Sequence, residues 1–316
     1  MTDARPTADL LTRVFPDSAR PLDEAFVTWL YEQCPYGPGI EANYDEELPD
    51  GGSRRIAHYA LVPATYSRDG VATPFVFSLN ACVDPTAQRG GYFTRMGLEV
   101  YAKAAAQGIV GVVGVSNANS TPAVVNKLHW KLVGPMPVRV VVPAPGRGRG
   151  FEHLPVDPAL LAGPVLDELA ASLDPSFDHR WEQVWSAPFL RWRLGRPGGD
   201  YVLHVSSDLL AVSTHERRAG VRFAVILKVL PRNGASKGRS AAFSGAPAVA
   251  AACAYHRAPL AVYAGFNARV RIGGVPLPMR LRPSPLNLIL KSLDEDQLPQ
   301  DTFELATFEF LDSDAY

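Results

Sequence analysis

The sequence predicts an α/β protein built from two mixed-sheet units, and three observations support this prediction. The chain of 316 residues is long enough for two domains of ordinary size. Strand-like apolar segments and helical patterns mix in both halves. Between the halves, the segment APGRGRG (144–150) has the composition of a linker. We therefore predict domains at 1–145 and 158–316 with a linker at 146–157, each domain being a central twisted sheet flanked by helices.

The first half reads as a helix, an irregular segment and then alternating strands and helices. The pattern PLDEAFVTWLYEQ has helical apolar spacing, whereas clustered Pro and Gly in CPYGPGIEANYDEELPDGG (34–52) predict irregular structure. A turn around Arg68-Asp69-Gly70 joins the first two strands. The predicted elements are a helix over 21–33, strands over 54–63 and 74–85, a helix over 91–107, a strand over 108–116, a helix over 121–130 and a strand over 137–143.

The second half shows the same mixture of patterns. Its predicted elements are a helical region over 156–174, strands over 208–216, 221–231 and 259–266, and a helix near 245–256. No sequence repeat relates the two halves, although they are expected to share an architecture.

Composition excludes several classes of protein. The formal net charge of -1 gives no electrostatic case for a nucleic-acid partner. Cys34, Cys82 and Cys253 are scattered and odd in number, which argues against a disulfide framework and a zinc site and favours a reducing compartment. The start MTDARPTADLL lacks signal-peptide features, and no apolar run approaches the length of a membrane span. We expect a cytoplasmic protein without a metal site or a membrane partner.

A glycine pair marks the point where a predicted strand gives way to a helix, in VDPTAQRGGYFTRMGLEVYAKAAAQG (83–108). A helix N-terminus presents unpaired N–H groups and the positive end of the macrodipole. Gly90 and Gly91 carry no Cβ, so the backbone can approach a ligand closely. Such a turn suits an anion such as a pyrophosphate, although a turn of this kind is often only a turn.

The order of these pieces resembles the GNAT-type N-acyltransferases, whose loop Q/R-x-x-G-x-G/A holds the pyrophosphate of coenzyme A. The match runs through Gln88-Arg89-Gly90-Gly91, and Phe93 stands where that family prefers Gly or Ala. In SNANSTPAVVNKLHWKLVG, Asn117 matches the Asn of a second motif, while His129-Trp130 replaces the usual Gly-Phe. The resemblance covers about residues 20–143.

A narrower resemblance extends to the second half. FLRWRLGRP, VRFAVILKVLP and RPSPLNLILKSLD are similar to a two-domain group in which a degenerate GNAT-like domain follows the first. The nearest counterpart of the phosphate loop is ASKGRSAAF (235–243), which reads better as an ordinary loop. We expect one active site per chain.

The resemblance implies an acyl-CoA donor, acetyl-CoA or another, bound between two diverging strands. Backbone groups of residues 79–83 would hold the pantetheine arm, with Asn80 to Cys82 nearest the reacting carbon. The implied cofactor-binding residues are Ala81, Cys82, Val83, Gln88, Arg89, Gly90, Gly91, Tyr92, Phe93 and Asn117.

The catalytic and acceptor-binding residues are less defined. A substrate amine must lose a proton, and the candidates for this step are His58, Glu41 and Asp45, with Asn80 as a group that orients a water. His58 also reads as a half-buried strand histidine, and Glu41 belongs to an acidic run typical of a solvated face. Because the resemblance implies that residues 36–47 cover the acceptor, Tyr36, Tyr44 and Asp45 are the predicted acceptor contacts.

The acid for the leaving thiolate is missing from its usual place. The resemblance implies a tyrosine where this chain has Val124 or Val125, so Tyr92, Tyr59 or water would have to serve as the acid.

Three alternatives for the function remain open. The first is acyl transfer from acyl-CoA to the amine of a sugar or secondary metabolite. The second is a Fem-like transferase fed by an acyl carrier protein or a charged tRNA, for which Arg147, Arg149, Arg191, Arg193 and Arg196 are the basic candidates. The third is a non-catalytic binding module.

Overall fold

The computed structural model describes residues 4–18, 20–144, 146, 148–175, 178–234, 242–282 and 286–313. Its helices are α1 (Ala4–Val14), α2 (Glu24–Glu32), α3 (Tyr92–Ala106), α4 (Thr121–Leu128), α5 (Pro158–Ala162), α6 (Val165–Ala171), α7 (Ala187–Leu194) and α8 (Ala246–His256). Within these described ranges, every helix is too short or too polar to cross a membrane.

The strands form two mixed sheets with helices packed on them, which confirms the predicted fold class. They are β1 (Ile40–Glu47), β2 (Ser53–Arg68), β3 (Val71–Val83), β4 (Gly111–Ser116), β5 (Lys131–Pro135), β6 (Val138–Val141), β7 (Glu152–Pro155), β8 (Glu182–Gln183), β9 (Val202–Val205), β10 (Leu209–Arg218), β11 (Val221–Pro231), β12 (Phe243–Ser244), β13 (Ala261–Asn267), β14 (Val270–Arg271), β15 (Val275–Pro276), β16 (Asn287–Ser292) and β17 (Thr307–Glu309).

The first sheet has the strand order β1-β2-β3-β4-β16-β5, and β8 also pairs with β2. Only β3 and β4 run parallel; the other neighbours are antiparallel. Helix α3 packs on one face, where Met96, Val100 and Ala104 are fully buried, as their spacing predicts. The opposite face carries α1 and α2 and belongs to a larger core shared with the second half of the chain.

The second sheet has the order β15-β6-β13-β11-β10-β9-β7, with β17 on β13. Strands cross between the halves: β6 pairs with β13 in the second sheet, and β16 lies between β4 and β5 in the first. Trp29 and Trp192 join the halves, because each indole N–H donates to the other residue's carbonyl at 2.8 Å. The domain division at 145 and 158 therefore stays a prediction, and the strand exchange means that each sheet needs both halves.

Three stretches are the main ones among those that differ from the sequence prediction. Residues 40–47 form β1 rather than an irregular segment, because they pair along β2 and bury Ile40 and Ala42 against the α3 side. Residues 152–155 of the predicted linker form β7, which pairs with β9. Helix α1 was not predicted, and it buries Thr7, Ala8, Leu10 and Leu11 along one face.

Candidate functional site: a divided parallel ladder beside a helix N-terminus

The parallel ladder between β3 and β4 is short and opens toward the end of both strands. It pairs Phe75–Ser78 with Gly111–Gly114, whereas β3 continues to Val83 and β4 to Ser116 without pairing to each other. A bulge in β3 places Asn80 and Ala81 opposite Tyr59 alone, and Asn80 has a φ of 50°. Bulges bend and twist a strand. The backbone edge of residues 80–83 is thus left unpaired on the side of β4, and the pantetheine arm that the resemblance implies for this edge stays a prediction.

The turn after β3 is held in place by a buried carboxylate. Asp84 is 3% exposed, and its Oδ1 accepts hydrogen bonds from the N–H and hydroxyl of Thr86. Its Oδ2 lies 3.1 Å from the guanidinium of Arg13 on α1. These bonds lower the pKa of Asp84, with the Thr86 bonds as the main cause. Asp84 therefore fixes the direction in which the chain enters the glycine loop.

The two glycines of the loop are required for different reasons. Gly91 has a φ of 70° and open space around its Cα, so its role is conformational and it lets a ligand approach. A Cβ at Gly90 would lie 2.4 Å from the Tyr92 ring, so Gly90 makes room for that ring rather than for a ligand. The expectation that both glycines serve a ligand is thus supported by local space only at Gly91.

The N-terminus of α3 offers the features of an anion site. The N–H groups of Tyr92, Phe93 and Thr94 have no backbone acceptor within the described residues, and the first turn holds no acidic side chain. Arg89 is exposed just before the helix, and the Arg95 guanidinium lies 4.9 Å from the Tyr44 ring. Both charge and backbone donors therefore favour a phosphate group here.

Asn117 has a different visible role from the predicted contact with the cofactor. It is exposed at the end of β4, and its Oδ1 accepts the N–H groups of Asn119 and Ser120. Its carbonyl accepts the Thr121 hydroxyl at 2.7 Å. Asn117 shapes the turn into α4, and its part in cofactor binding stays a prediction.

On the face of α1 and α2, three predicted catalytic residues meet in one hydrogen-bonded chain. Asn80 Nδ2 donates to the Tyr31 hydroxyl at 2.8 Å, and this hydroxyl lies 3.2 Å from His58 Nε2. His58 Nδ1 lies 2.7 Å from Asn43 Oδ1, and Asn43 Nδ2 donates to Glu41 Oε2 at 3.1 Å. Because the Asn43 oxygen can only accept, His58 donates from Nδ1 and accepts from Tyr31 at Nε2. Every bond of the chain thus points from Asn80 toward Glu41.

The electrostatics of this chain separate His58 from Glu41. His58 is fully buried, and desolvation lowers its pKa to about 3, with a smaller contribution from Arg55. A sealed imidazole with this pKa is a poor base at neutral pH, so the position argues against His58 as a direct general base. Burial raises the pKa of Glu41, whose side chain is 14% exposed. Glu41 is therefore the better-placed base of the two.

The three predicted acceptor contacts are separated by the sheet. Tyr36 hydrogen-bonds Ser186 and stacks on Phe189 of α7. Tyr44 lies on the opposite face from Glu41, beside Tyr92. Asp45 forms an ion pair with Arg55 at 3.0 Å, so its charge is already balanced. The structure does not gather these residues around one acceptor.

Sequence reasoning missed Ser78, the last paired residue of β3 where the ladder opens. Its Oγ lies 2.8 Å from the Tyr59 hydroxyl, which lies 2.8 Å from the Tyr101 hydroxyl. Trp130 Nε1 donates to Tyr101 at 2.9 Å. The indole only donates, so Tyr101 accepts from Trp130, and in the other two pairs either oxygen can be the donor. The arrangement in which Tyr101 donates to Tyr59 and Tyr59 donates to Ser78 leaves the Ser78 proton free. Val124, which stands where the resemblance implies a tyrosine, is buried in the core on the α3 side and has no hydroxyl that could protonate a thiolate.

The second sheet lacks an equivalent opening between β11 and β13. These strands pair in parallel at Ala224–Ile226, and Asn267 then bridges them by donating to the Val229 carbonyl at 2.9 Å. Asn267 also contacts Glu309, so protein groups fill the space that the first sheet leaves open. Residues 235–241 of the possible second phosphate loop lie outside the described part of the chain.

The arginines considered for a basic channel have other positions. Arg193 and Arg196 are 4% and 7% exposed, and Arg193 donates to the carbonyls of Leu311 and Ser313. Arg191 pairs with Asp167 at 3.0 Å. Arg149 is exposed, and Arg147 lies outside the described residues. Burial of two of these five side chains removes them from any nucleic-acid or carrier-protein surface.

Comparison with solved structures identifies the fold as that of GNAT-type N-acetyltransferases. A probable N-acyltransferase from Enterococcus faecalis is 11% identical with a TM-score of 0.59, over 92% of this chain and 70% of that one. A GCN5-related N-acetyltransferase from Anabaena variabilis is 12% identical with a TM-score of 0.57, over 91% and 69%. Eis1 from Mycobacterium abscessus is 13% identical with a TM-score of 0.54, over 92% and 71%. No protein-family model and no curated protein matches the sequence.

Proposed function

We propose that the protein is an N-acyltransferase that moves an acyl group from a coenzyme A thioester to the amine of a sugar or secondary metabolite. Acetyl-CoA is the donor that we propose first. The observation that carries the proposal is the opened β3–β4 ladder next to the unpaired N–H groups at the start of α3. The N–H groups at the start of α3 suit a diphosphate, and the opened ladder suits an extended arm that ends in a thioester.

In this proposal the donor is held mainly by backbone groups. The N–H groups of Tyr92, Phe93 and Thr94, with the charge of Arg89, bind the diphosphate. The edge of Ala81–Val83 binds the pantetheine arm, and one N–H near the Asn80 bulge polarises the thioester carbonyl. A single donor of this kind is worth on the order of 3 kcal/mol in the transition state. Cys82 contributes only its backbone, because burial raises the pKa of its thiol to about 12.

The acceptor amine reaches the same gap from the α1 and α2 face. Glu41 takes its proton directly or through a water, and the raised pKa of its carboxyl suits this task. Asn80 orients the water or the amine, while His58 and Tyr31 hold the Asn80 side chain in position. On the α3 face, the Ser78 hydroxyl donates a hydrogen bond to the departing sulfur in place of the missing tyrosine.

The remaining attributes follow from this proposal. The donor site needs no metal ion. We expect a cytoplasmic location, because acyl-CoA is an intracellular donor in the proposed reaction and Cys34, Cys82 and Cys253 are free thiols. A small-molecule amine remains the proposed acceptor, ahead of the carrier-protein, charged-tRNA and binding-only alternatives.

The test uses two glycines with matched surroundings. Gly91 and Gly198 both have a φ of 70° and no atom within 4 Å of an added Cβ, but only Gly91 adjoins α3. Gly91→Phe and Gly198→Phe should therefore cost similar stability. We expect the melting temperature of the wild type and of Gly198→Phe to rise with acetyl-CoA or CoA, since ligand at about 100 times its Kd adds roughly 2.7 kcal/mol. Gly91→Phe should lose this rise.

Activity is then measured as free thiol released from acetyl-CoA with a panel of amines, and as the intact mass of the product. We expect an acylated amine that depends on Gly91 and Glu41. A Gly91→Phe variant that keeps both coenzyme binding and turnover would contradict the assignment of the loop. Coenzyme binding without any acylated product would favour the binding-only alternative.

A further inference from the structure

A cavity of about 330 Å³ lies at the end of the first sheet that is away from the glycine loop. It is bounded by the β2–β3 hairpin, by β8, by the end of α6 and by the end of β11, so both halves of the chain contribute to it. Gly70, Ala72 and Pro175 are exposed and mark its mouth. Cavities of roughly 300 Å³ and more at domain boundaries are typical ligand sites.

The wall of this cavity contains buried polar groups that lack partners. Glu182, Gln183 and Trp185 are 4%, 6% and 7% exposed, and all three line the cavity. Glu182 Oε2, Gln183 Oε1 and Trp185 Nε1 have no hydrogen-bond partner among the described residues. Leaving a buried polar group unpaired is unfavourable, and a buried carboxylate oxygen is the most costly of the three. The Glu182 and Gln183 oxygens need a ligand that donates hydrogen bonds, whereas the Trp185 N–H only donates and needs an acceptor.

Charge narrows the kind of ligand. Glu182 uses its other oxygen, Oε1, for Arg269, whose Nη1 lies 3.4 Å away. The second carboxylate of the lining, Asp174, accepts the Gly234 N–H. An incoming ammonium would place one N–H group on Glu182 Oε2 and keep two more for other acceptors, whereas a neutral hydroxyl has only one proton. Arg269 also lines the cavity, but its guanidinium is paired with Glu182 at 3.4 Å and with Asp174 at 4.0 Å, so an anion would meet the unpaired carboxylate oxygen.

Apolar side chains complete the lining. Leu173, Val184 and Leu230 line the cavity together with Trp185, and the small side chain of Ala170 lines it near the end of α6. A charged group alone would leave this surface in contact with water, so the ligand needs an apolar body of moderate size. We propose that this cavity is a binding site for a small primary amine with an apolar body, anchored on Glu182.

This site is separate from the candidate acyl-transfer site. Ala72 and Asn80 lie on the same strand, about 26 Å apart at the ordinary rise per residue. The ammonium site uses none of the residues that we assign to the acyl donor or to the acceptor amine. It therefore stands whether or not the chain is an acyltransferase, and it provides a place where an amine can act as an effector.

The test compares three probes that share a phenyl ring and differ in charge: 2-phenylethylamine, 2-phenylethanol and 3-phenylpropionate. Binding to the full chain is measured by isothermal titration calorimetry at pH 7. We expect the amine to bind with one-to-one stoichiometry, the alcohol to bind at least about tenfold more weakly, and the carboxylate not to bind. Equal affinity for the amine and the alcohol would overturn the role of Glu182.

Variants locate the amine. Glu182→Gln keeps the shape of the side chain and removes its charge, so it should lower the affinity for the amine at least about tenfold. Ala170→Phe should fill the cavity from the side of α6, so it should also lower the affinity for the amine. Glu41→Gln alters only the acyl-transfer site and should leave this affinity unchanged. If Glu41→Gln abolished binding of the amine while Glu182→Gln kept it in full, the amine would lie elsewhere and the proposal would be refuted. A wild-type chain that does not bind the amine at millimolar concentration would refute it as well.

Discussion

The contact between Gly90 and Tyr92 allows a prediction that can be worked out from distances. An added Cβ at Gly90 would lie 2.4 Å from Tyr92 Cε2 and 2.7 Å from Cδ2, which is closer than real Cβ contacts. Gly90→Ala must therefore move the Tyr92 ring. That ring packs against Tyr44 with centroids 5.3 Å apart and lies 5.6 Å from the Arg95 guanidinium.

The magnitude follows from the contacts that the ring would lose. An aromatic pair is worth about 0.5–1.5 kcal/mol beyond its burial, and an exposed cation–π contact about 0.5–1 kcal/mol. We expect Gly90→Ala to lower the free energy of unfolding by about 1–2.5 kcal/mol. Gly91→Ala meets no atom but must hold a φ of 70°, which costs about 1–2 kcal/mol for an L-residue.

A double-mutant cycle separates these two causes. Tyr92→Ala removes the ring, so Gly90→Ala should cost almost nothing in the Tyr92→Ala background. Gly91→Ala should cost the same in both backgrounds, because its cause is the backbone. Urea unfolding of the four combinations for each glycine supplies the energies. If Gly90→Ala and Tyr92→Ala add to within about 0.5 kcal/mol, the clash is not the reason for glycine at position 90.

Two further predictions concern proton-carrying groups. Ser78→Ala should lower kcat about 10- to 100-fold, since a hydrogen bond to a charged group is worth about 1.5–3 kcal/mol. The KM for acetyl-CoA should stay nearly unchanged. If steady-state kinetics show full kcat in this variant, Ser78 has no part in the mechanism. Acid should destabilise the fold as the pH falls from about 6.5 toward 3, because unfolded His58 gains a proton with a pKa of 6.5 and folded His58 only with a pKa of about 3. His58→Gln should reduce this dependence in unfolding measured from pH 7 to pH 4, whereas His179→Gln, at a side chain that is 83% exposed, should not. The remainder comes from His204 and His256, because burial lowers their pKa values to about 3 and about 4.

Much of the fold was predictable because its signals are local. The helical spacing before Gly108, the continuous apolar run of β4 and the turn at Asp69-Gly70 each report the environment of neighbouring residues. Strand β1 was missed because its Glu, Asn and Asp residues have weak strand preference, and pairing with β2 decides its conformation. The same limit hid the insertion of β16, which joins a strand from residue 287 onward to the first sheet.

By itself, the sequence determined where a strand meets a helix through Gly90 and Gly91, because a turn and a helix start are set by residues next to each other. Tertiary structure alone decided which side chains meet around that turn. It placed Tyr31 between His58 and Asn80 and put Tyr44 on the opposite face from Glu41. It also left one oxygen of Glu182 without a partner in the part of the chain that the structure describes. The physical reason is that strand pairing and the alternation of faces bring together residues far apart in the chain, and they set the burial on which every pKa and hydrogen bond of the site depends.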